Sequence, residues 1–138
     1  MPQKTSILFV CIQNSARSQI AEGFFKKYTD GRITCGSAGT MPADRINPDA
    51  VAVMKEVGID IDTNKPKVLT NEMIQSSTVI INMGCMDNSS CPTALLHIKE
   101  MEDWGIEDPA GKSIARMREI RNEIERKVVD LIRRLSED

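Results

Sequence analysis

The stretch FVCIQNSARSQIAEGFF, residues 9–25, decides the fold. Upstream of its cysteine, Ser6-Ile7-Leu8-Phe9-Val10 is the apolar run of a buried parallel strand. Downstream, Ile20, Ala21, Phe24, Phe25 and Tyr28 recur at helical spacing. Between them lies a short polar loop, Cys11-Ile12-Gln13-Asn14-Ser15-Ala16-Arg17-Ser18. A loop that joins a strand to a helix N-terminus aims several backbone N–H groups at one point, and the helix dipole adds partial positive charge there. Arg17 adds a planar cation with paired donors, suited to a tetrahedral oxyanion. Cys11 at the mouth of this anion hole is expected to have a lowered pKa and to be a thiolate, with Ser18 placed to donate a hydrogen bond to the sulfur. These residue types in this pattern describe an arginine that binds an oxyanion and a thiol that attacks its central atom. The plainer alternative is a buried cysteine ending a strand and an unrelated surface arginine. The strand–loop–helix context favours the functional reading.

Working outward, residues 32–35 (RITC) predict a short second strand, closed by Gly36-Ser37-Ala38-Gly39. Asn47-Pro48 is a helix start, with Asn47 as cap and Pro48 in the first turn. Ala50, Val51, Met54 and Val57 form that helix's apolar face, and Gly58 ends it. A short helix is expected over residues 70–75, a third strand over 78–83 and a fourth over 96–101. Ile114, Met117, Ile120, Ile124, Val128, Leu131 and Leu135 mark a long amphipathic C-terminal helix, whose arginines and glutamates read as a solvated face. Strands alternate with helices, which predicts an α/β fold: one domain, 1–138, with a small four-stranded parallel sheet and helices on both faces. In such sheets ligands bind beyond the carboxyl ends of the strands. Cys11, Cys85 and Asp108 all follow strands and are expected at that edge.

Composition narrows the function classes. The chain of 138 residues suits one domain, and its net charge of -2 argues against nucleic acid or an anionic membrane as partner. No apolar run approaches the ~20 residues needed to span a bilayer, and the N-terminus does not read as a secretory signal. The expectation is a cytoplasmic monomer. Four cysteines occur, Cys11, Cys35, Cys85 and Cys91. A domain of this size needs no disulfides to fold, so in a reducing compartment they are either inert or chemical.

The C-x5-R-S signature at the first strand end resembles that of the low-molecular-weight protein tyrosine phosphatase fold, and Asp108-Pro109 resembles that fold's general-acid loop. The segments NSARSQIAEGFF, SAGT, INPDAVAVMKEVGIDI and CPTALLHIKEMEDWGIEDPAGK, with Cys85 and Cys91, resemble the thioredoxin-coupled arsenate reductases over nearly the whole chain. The resemblance implies arsenate as substrate, with phosphate or sulfate as analogues. It implies Cys11 as nucleophile, the loop 12–17 (Ile12, Gln13, Asn14, Ser15, Ala16, Arg17) as oxyanion cradle, and Asp108 as general acid. It further implies a relay: Cys85 attacks Cys11, arsenite leaves, and Cys91 resolves the disulfide to Cys85–Cys91 for reduction by thioredoxin. No cofactor is expected to be bound.

Other readings of these residues stay open. Cys85 and Cys91 are also compatible with inert cysteines, or with zinc alongside His97 and Cys35, although C-x5-C is wide for a zinc knuckle. Cys35 reads as buried and inert, and His97 as structural. Trp104 either walls the loop near Asp108 or simply packs. At the level of function, the rivals are a phosphatase that hydrolyses phosphomonoesters and a redox-sensing anion-binding module. The loop Asp108-Pro109-Ala110-Gly111-Lys112 lacks the aromatics with which tyrosine phosphatases of this fold sandwich an aryl ring, which favours a small free oxyanion. Two departures stand out. Gln13 replaces a glycine common in relatives. Of the potassium ligands some relatives use, Asn14 and Ser37 are present, but the other two positions are Lys65 and Lys67, which cannot ligate a cation.

Overall fold

A computed structural model describes residues 5–83 and 101–136; Cys85, Cys91, His97 and most of the fourth strand's expected span lie outside the described residues. Strand β1 (Ser6–Cys11) forms where the sequence is most continuously apolar and lies at the centre of the sheet. It is followed by α1 (Arg17–Thr29), β2 (Thr34–Gly39), α2 (Pro48–Lys55), α3 (Asn71–Ser76), β3 (Val79–Asn82), β4 (Met101–Asp103) and α4 (Ile114–Ser136). The four strands are all parallel in the order β2-β1-β3-β4.

The pleat sorts side chains between two cores. Ile7, Phe9 and Cys11 of β1, with Val79 and Ile81 of β3, join the larger cluster under α1, α2 and α4. Leu8, Val10 and Ile80 point the other way, onto Ile74 of α3. Phe9 is fully buried, and its ring lies 5.8 Å from those of Phe25 and Trp104. Burying a phenylalanine contributes ~1.5–3 kcal/mol, and edge-on aromatic contacts add ~0.5–1.5 kcal/mol. Trp104 is therefore a packing residue, and its indole N–H donates to Glu102 Oε1 at 3.1 Å.

Local signals set most element ends. Asn47 Oδ1 accepts from the N–H groups of Asp49 (2.8 Å) and Ala50 (3.4 Å), and Pro48 opens the first turn of α2. That helix stops at Lys55; Gly58, at φ 81°, turns the chain so that Ile59 N–H bonds back to Met54 C=O at 2.9 Å. Helix α4 buries Met117, Ile120, Ile124, Val128 and Leu131 at the expected spacing.

Two expectations need correction, and a third lies mostly outside the described residues. The strand predicted at residues 32–35 runs instead over Thr34–Gly39, because the small residues 36–39 pair in register with β1 as far as Cys11. The fourth strand, expected over 96–101, falls mostly outside the described residues; its described part, Met101–Asp103, pairs with β3. Arg121 does not belong to the solvated face of α4: it is buried and donates to Val53 C=O and Glu56 Oε1, each at 2.8 Å, which ties α4 to the end of α2.

Candidate active site

After β1 the chain passes to β2 on one side of it and later to β3 on the other. The carboxyl end of β1 is thus the point where the sheet order reverses, and Cys11 occupies it. The loop then turns through Asn14, held at φ 52°, into α1. Helix α1 has Ala16 at its N-cap, no side-chain cap and no acidic residue in its first turn. Its leading N–H groups are left without the usual side-chain acceptor, as an anion site requires.

Cys11 is buried. Its Sγ lies 2.8 Å from Ser18 Oγ and accepts from the Asn14 N–H at 3.1 Å. The Asn14 N–H, a fixed donor, favours a thiolate over a thiol, and the Ser18 hydroxyl does the same when it donates. Arg17 is buried too, against the plainer reading of it as a surface residue. Its Nη1 donates to the Ile106 carbonyl at 3.0 Å, and Nη2 lies 3.9 Å from Asp108 Oδ1. One bond to a backbone carbonyl orients the guanidinium and leaves its other donors for a ligand. The Asp108 side chain is 62 % exposed, and its Oδ1 accepts from Ala110 N–H at 3.0 Å.

These groups enclose a cavity of about 110 Å³ lined by Cys11, Ile12, Gln13, Ser15, Ala16, Arg17, Asn47, Asp108, Pro109 and Ala110. It is smaller than the ~150 Å³ that encloses a benzene ring, and among the described residues no aromatic one lines it. The carboxylate, the guanidinium and the thiol that the sequence brought into one reading therefore share one small polar chamber.

The remaining candidates fall into place around it. Gln13 is exposed at the rim, where its Oε1 accepts from Ser15 Oγ at 3.5 Å. Asn14 is fully buried behind the cavity, and its Nδ2 donates to Ser18 Oγ at 2.7 Å. Cys35 is half-buried in β2 rather than buried; burial, and then the charge of Glu22, push its thiol up to about 12 against a partial offset from Lys26. Sequence reasoning missed Asn47 as a wall of the cavity, where its N–H also donates to Ser15 C=O at 2.9 Å. It also missed Gln19 and Glu22, both buried on α1.

Asn14 and Ser37, the two potassium positions that the resemblance left in place, are both engaged within the chain. Asn14 Oδ1 already accepts from Lys67 N–H at 2.8 Å and Gln19 Nε2 at 3.0 Å. Ser37 Oγ donates to Glu22 Oε1 at 2.5 Å. Lys26 Nζ lies 2.6 Å from Glu22 Oε2, and Lys67 Nζ 4.0 Å from Glu22 Oε1. Lys26 thus pairs closely with the buried carboxylate, with Lys67 at the edge of ion-pair distance.

Comparison with known proteins agrees with this geometry. The family model for low molecular weight phosphotyrosine protein phosphatases matches residues 6–138. An arsenate reductase of Brevibacillus brevis is 39% identical over 124 residues, covering 90% of this chain and 91% of that one. A glutaredoxin arsenate reductase of Synechocystis is 37% identical over 94% of this chain and 98% of its own. Among solved structures, an arsenate reductase in a phosphate-binding state superposes with a TM-score of 0.84 at 37% identity, covering 94% of this chain and 98% of that one. A thioredoxin-dependent arsenate reductase of Corynebacterium glutamicum superposes with a TM-score of 0.79 at 32% identity, covering 96% of this chain and 62% of that one. A buried cysteine and arginine on one anion loop, at the reversal point of a parallel sheet, and a match that runs from residue 6 to residue 138 lead to one assignment: the chain belongs to the low molecular weight phosphotyrosine protein phosphatase family.

Proposed function

We propose that this chain reduces arsenate to arsenite and draws its electrons from thioredoxin or a similar dithiol protein. The observation that carries the reading is the chamber of about 110 Å³ in which Cys11 Sγ and the Arg17 guanidinium face one oxyanion-sized space without an aromatic wall. Sequence identity of 36–39% to curated arsenate reductases supports it. The loop 12–17 and Arg17 hold the arsenate oxygens, and Ser18 with the Asn14 N–H stabilises the attacking sulfur. A sulfur–arsenic bond forms as an arsenic–oxygen bond breaks, and Asp108 supplies the proton with which that oxygen leaves as water.

The reducing steps follow from the family resemblance. A Cys85 thiolate attacks Cys11 Sγ; the sulfur–arsenic bond breaks and its electron pair stays on arsenic, which departs as arsenite. Cys91 then attacks Cys85, releasing Cys11 as thiolate and leaving a Cys85–Cys91 disulfide. An external dithiol returns the two electrons by exchange. Thioredoxin is the donor of one structural relative, and a second relative is a glutaredoxin arsenate reductase. The chain works as a cytoplasmic monomer of one domain; among the described residues no helix is long and apolar enough to cross a membrane.

The test is thiol mapping by peptide mass after arsenate is added to reduced protein. One arsenite per enzyme, with a Cys85–Cys91 disulfide, is the expected result. Aryl-phosphate hydrolysis without arsenite formation would assign the site to phosphatase chemistry. A disulfide formed by oxidants alone, with neither turnover, would make it a sensor.

A further inference from the structure

Behind the anion loop lies a run of hydrogen bonds that the proposed chemistry does not call on. Gln19 is fully buried on α1. Its Nε2 lies within reach of three oxygens: Asn14 Oδ1 at 3.0 Å, Asn14 C=O at 3.3 Å and Lys65 C=O at 3.4 Å. Its Oε1 accepts from Asn64 Nδ2 at 3.1 Å. We propose that Gln19 and Asn64 are positioning residues that fix the direction of a donor chain ending on Cys11 Sγ.

The direction follows from counting donors and acceptors. Three oxygens around one end of the Gln19 carboxamide admit only its NH2 group there, so its carbonyl must face Asn64, which donates to it. Asn14 Oδ1 then receives two N–H bonds, from Gln19 Nε2 and from Lys67 at 2.8 Å. That assigns the other end of the Asn14 carboxamide as NH2, and it donates to Ser18 Oγ at 2.7 Å. A serine hydroxyl that already accepts there has one proton to give, and its remaining partner is Cys11 Sγ at 2.8 Å. The donors therefore run Asn64, Gln19, Asn14 and Ser18, each pointing toward Cys11 Sγ, which accepts. A hydroxyl locked as donor stabilises the thiolate; a hydroxyl free to rotate does so only part of the time. Gln19 also braces the left-handed Asn14, whose own N–H is the second donor to the sulfur.

The charged groups around the chain are separate from it. Arg17 of α1 and Asp108, in the loop after β4, face the cavity with Cys11. Glu22 of α1 and Lys67 lie beyond Asn14, joined to each other at 4.0 Å. Neither of the substitutions below alters any of them.

The inference rests on Cys11 being the nucleophile, and its test is independent of arsenate. The pH dependence of iodoacetamide alkylation at Cys11 is followed by peptide mass in the parent, in Gln19→Met and in Asn64→Ala. Loss of one orienting donor should raise the Gln19→Met midpoint by roughly half a pH unit, about a threefold drop in thiolate below the midpoint. Asn64→Ala, at an exposed position that the fold tolerates, should shift it the same way by less. Single-turnover arsenate reduction near pH 7 should slow in proportion to the lost thiolate. A merely structural role would lower the melting temperature and leave the midpoint in place. A parent-like midpoint in folded Gln19→Met, or in Asn64→Ala should Gln19→Met not fold, overturns the proposal. A parent with a normal Cys11 titration but no arsenate turnover would instead overturn the assigned reaction and leave the donor chain standing.

Discussion

Replacing Gly39 by alanine tests whether the anion loop is set by the strand beside it. Gly39 ends β2 opposite Cys11 in the sheet register. A Cβ built there would sit 2.4 Å from the Ile12 carbonyl oxygen, 2.9 Å from Asn14 N and 3.0 Å from Gln13 C. Ordinary contacts of a Cβ begin near 3.4 Å, so either strand or loop must yield by close to 1 Å. The strand is pinned on the side away from β1: Gly39 N–H donates to Lys67 C=O, and Gly39 C=O accepts from Leu69 N–H, each at 2.8 Å. The loop must therefore move, and with it the N–H groups proposed to cradle the anion. Forced overpacking of this kind costs ~1–3 kcal/mol of stability, and a displacement of ~1 Å in a catalytic constellation slows chemistry ~10²-fold. Gly36→Ala is the control in the same strand, because a Cβ there meets only Leu8 Cδ1 at 3.9 Å. Urea denaturation, sulfate calorimetry and single-turnover arsenate reduction on both variants make the comparison. Parent-like sulfate affinity and rate in Gly39→Ala, or equal damage in Gly36→Ala, would refute the reasoning.

Arg17→Lys should weaken sulfate binding at least ~10-fold by calorimetry, because an ammonium cannot bond Ile106 C=O and grip an oxyanion in two places at once. Asp108→Asn should keep sulfate affinity and slow the single-turnover step by ~10²–10⁴-fold, the usual contribution of a general acid; an unimpaired rate would remove Asp108 from that role. At pH 8 iodoacetamide should label Cys11 and leave Cys35 unmodified, since a thiol pushed up to about 12 has almost no thiolate there; Cys35→Ser should turn over as the parent does. Exchanging sodium for potassium at constant ionic strength should leave melting temperature and activity unchanged, because Lys26 pairs closely with Glu22, with Lys67 at the edge of ion-pair distance; a potassium-specific rise in melting temperature would contradict this.

The scaffold was legible where a segment carries its own physical signal. The apolar run of β1, the Asn47-Pro48 start of α2 and the spaced apolar residues of α4 each announce their element without help from distant contacts. Strand β2 was read too short because Gly36-Ser37-Ala38-Gly39 has the composition of a turn, while its extension depends on pairing with β1. Of strand β4 only Met101–Asp103 is described, an end without an apolar pattern whose place in the sheet comes from pairing with β3. Cys11, Arg17 and Ser18 were legible because one loop holds them all. Asn47, Gln19 and Asn64 were not, since their roles rest on partners across 32, 46 and 45 residues. No local pattern encodes those pairings.

The features that oppose local stability gather around Cys11. Asn14 adopts a left-handed backbone that costs a residue with a Cβ ~1 kcal/mol, and α1 lacks the side-chain cap that usually contributes about as much. Ser18, Gln19 and Glu22 fill helix positions that an apolar residue would occupy in an ordinary packed helix, yet each is buried. Each has partners: Ser18 with Cys11 and Asn14, Gln19 with Asn14 and Asn64, Glu22 with Ser37 and Lys26. A half-satisfied network would be worse than an apolar one, so these residues stand or fall together. The far end of the same helix follows ordinary rules, with Phe24 and Phe25 in the core and Lys26 and Lys27 in the last turn, where they complement the helix dipole. The helix thus divides in two. Its C-terminal half anchors it to the sheet by apolar burial, and that anchorage lets the N-terminal half stay uncapped, polar and open to an oxyanion. A side-chain cap or an acidic residue in the first turn of α1 would stabilise the helix and occupy or repel the anion's place, so a gain in local stability there is a loss of the site.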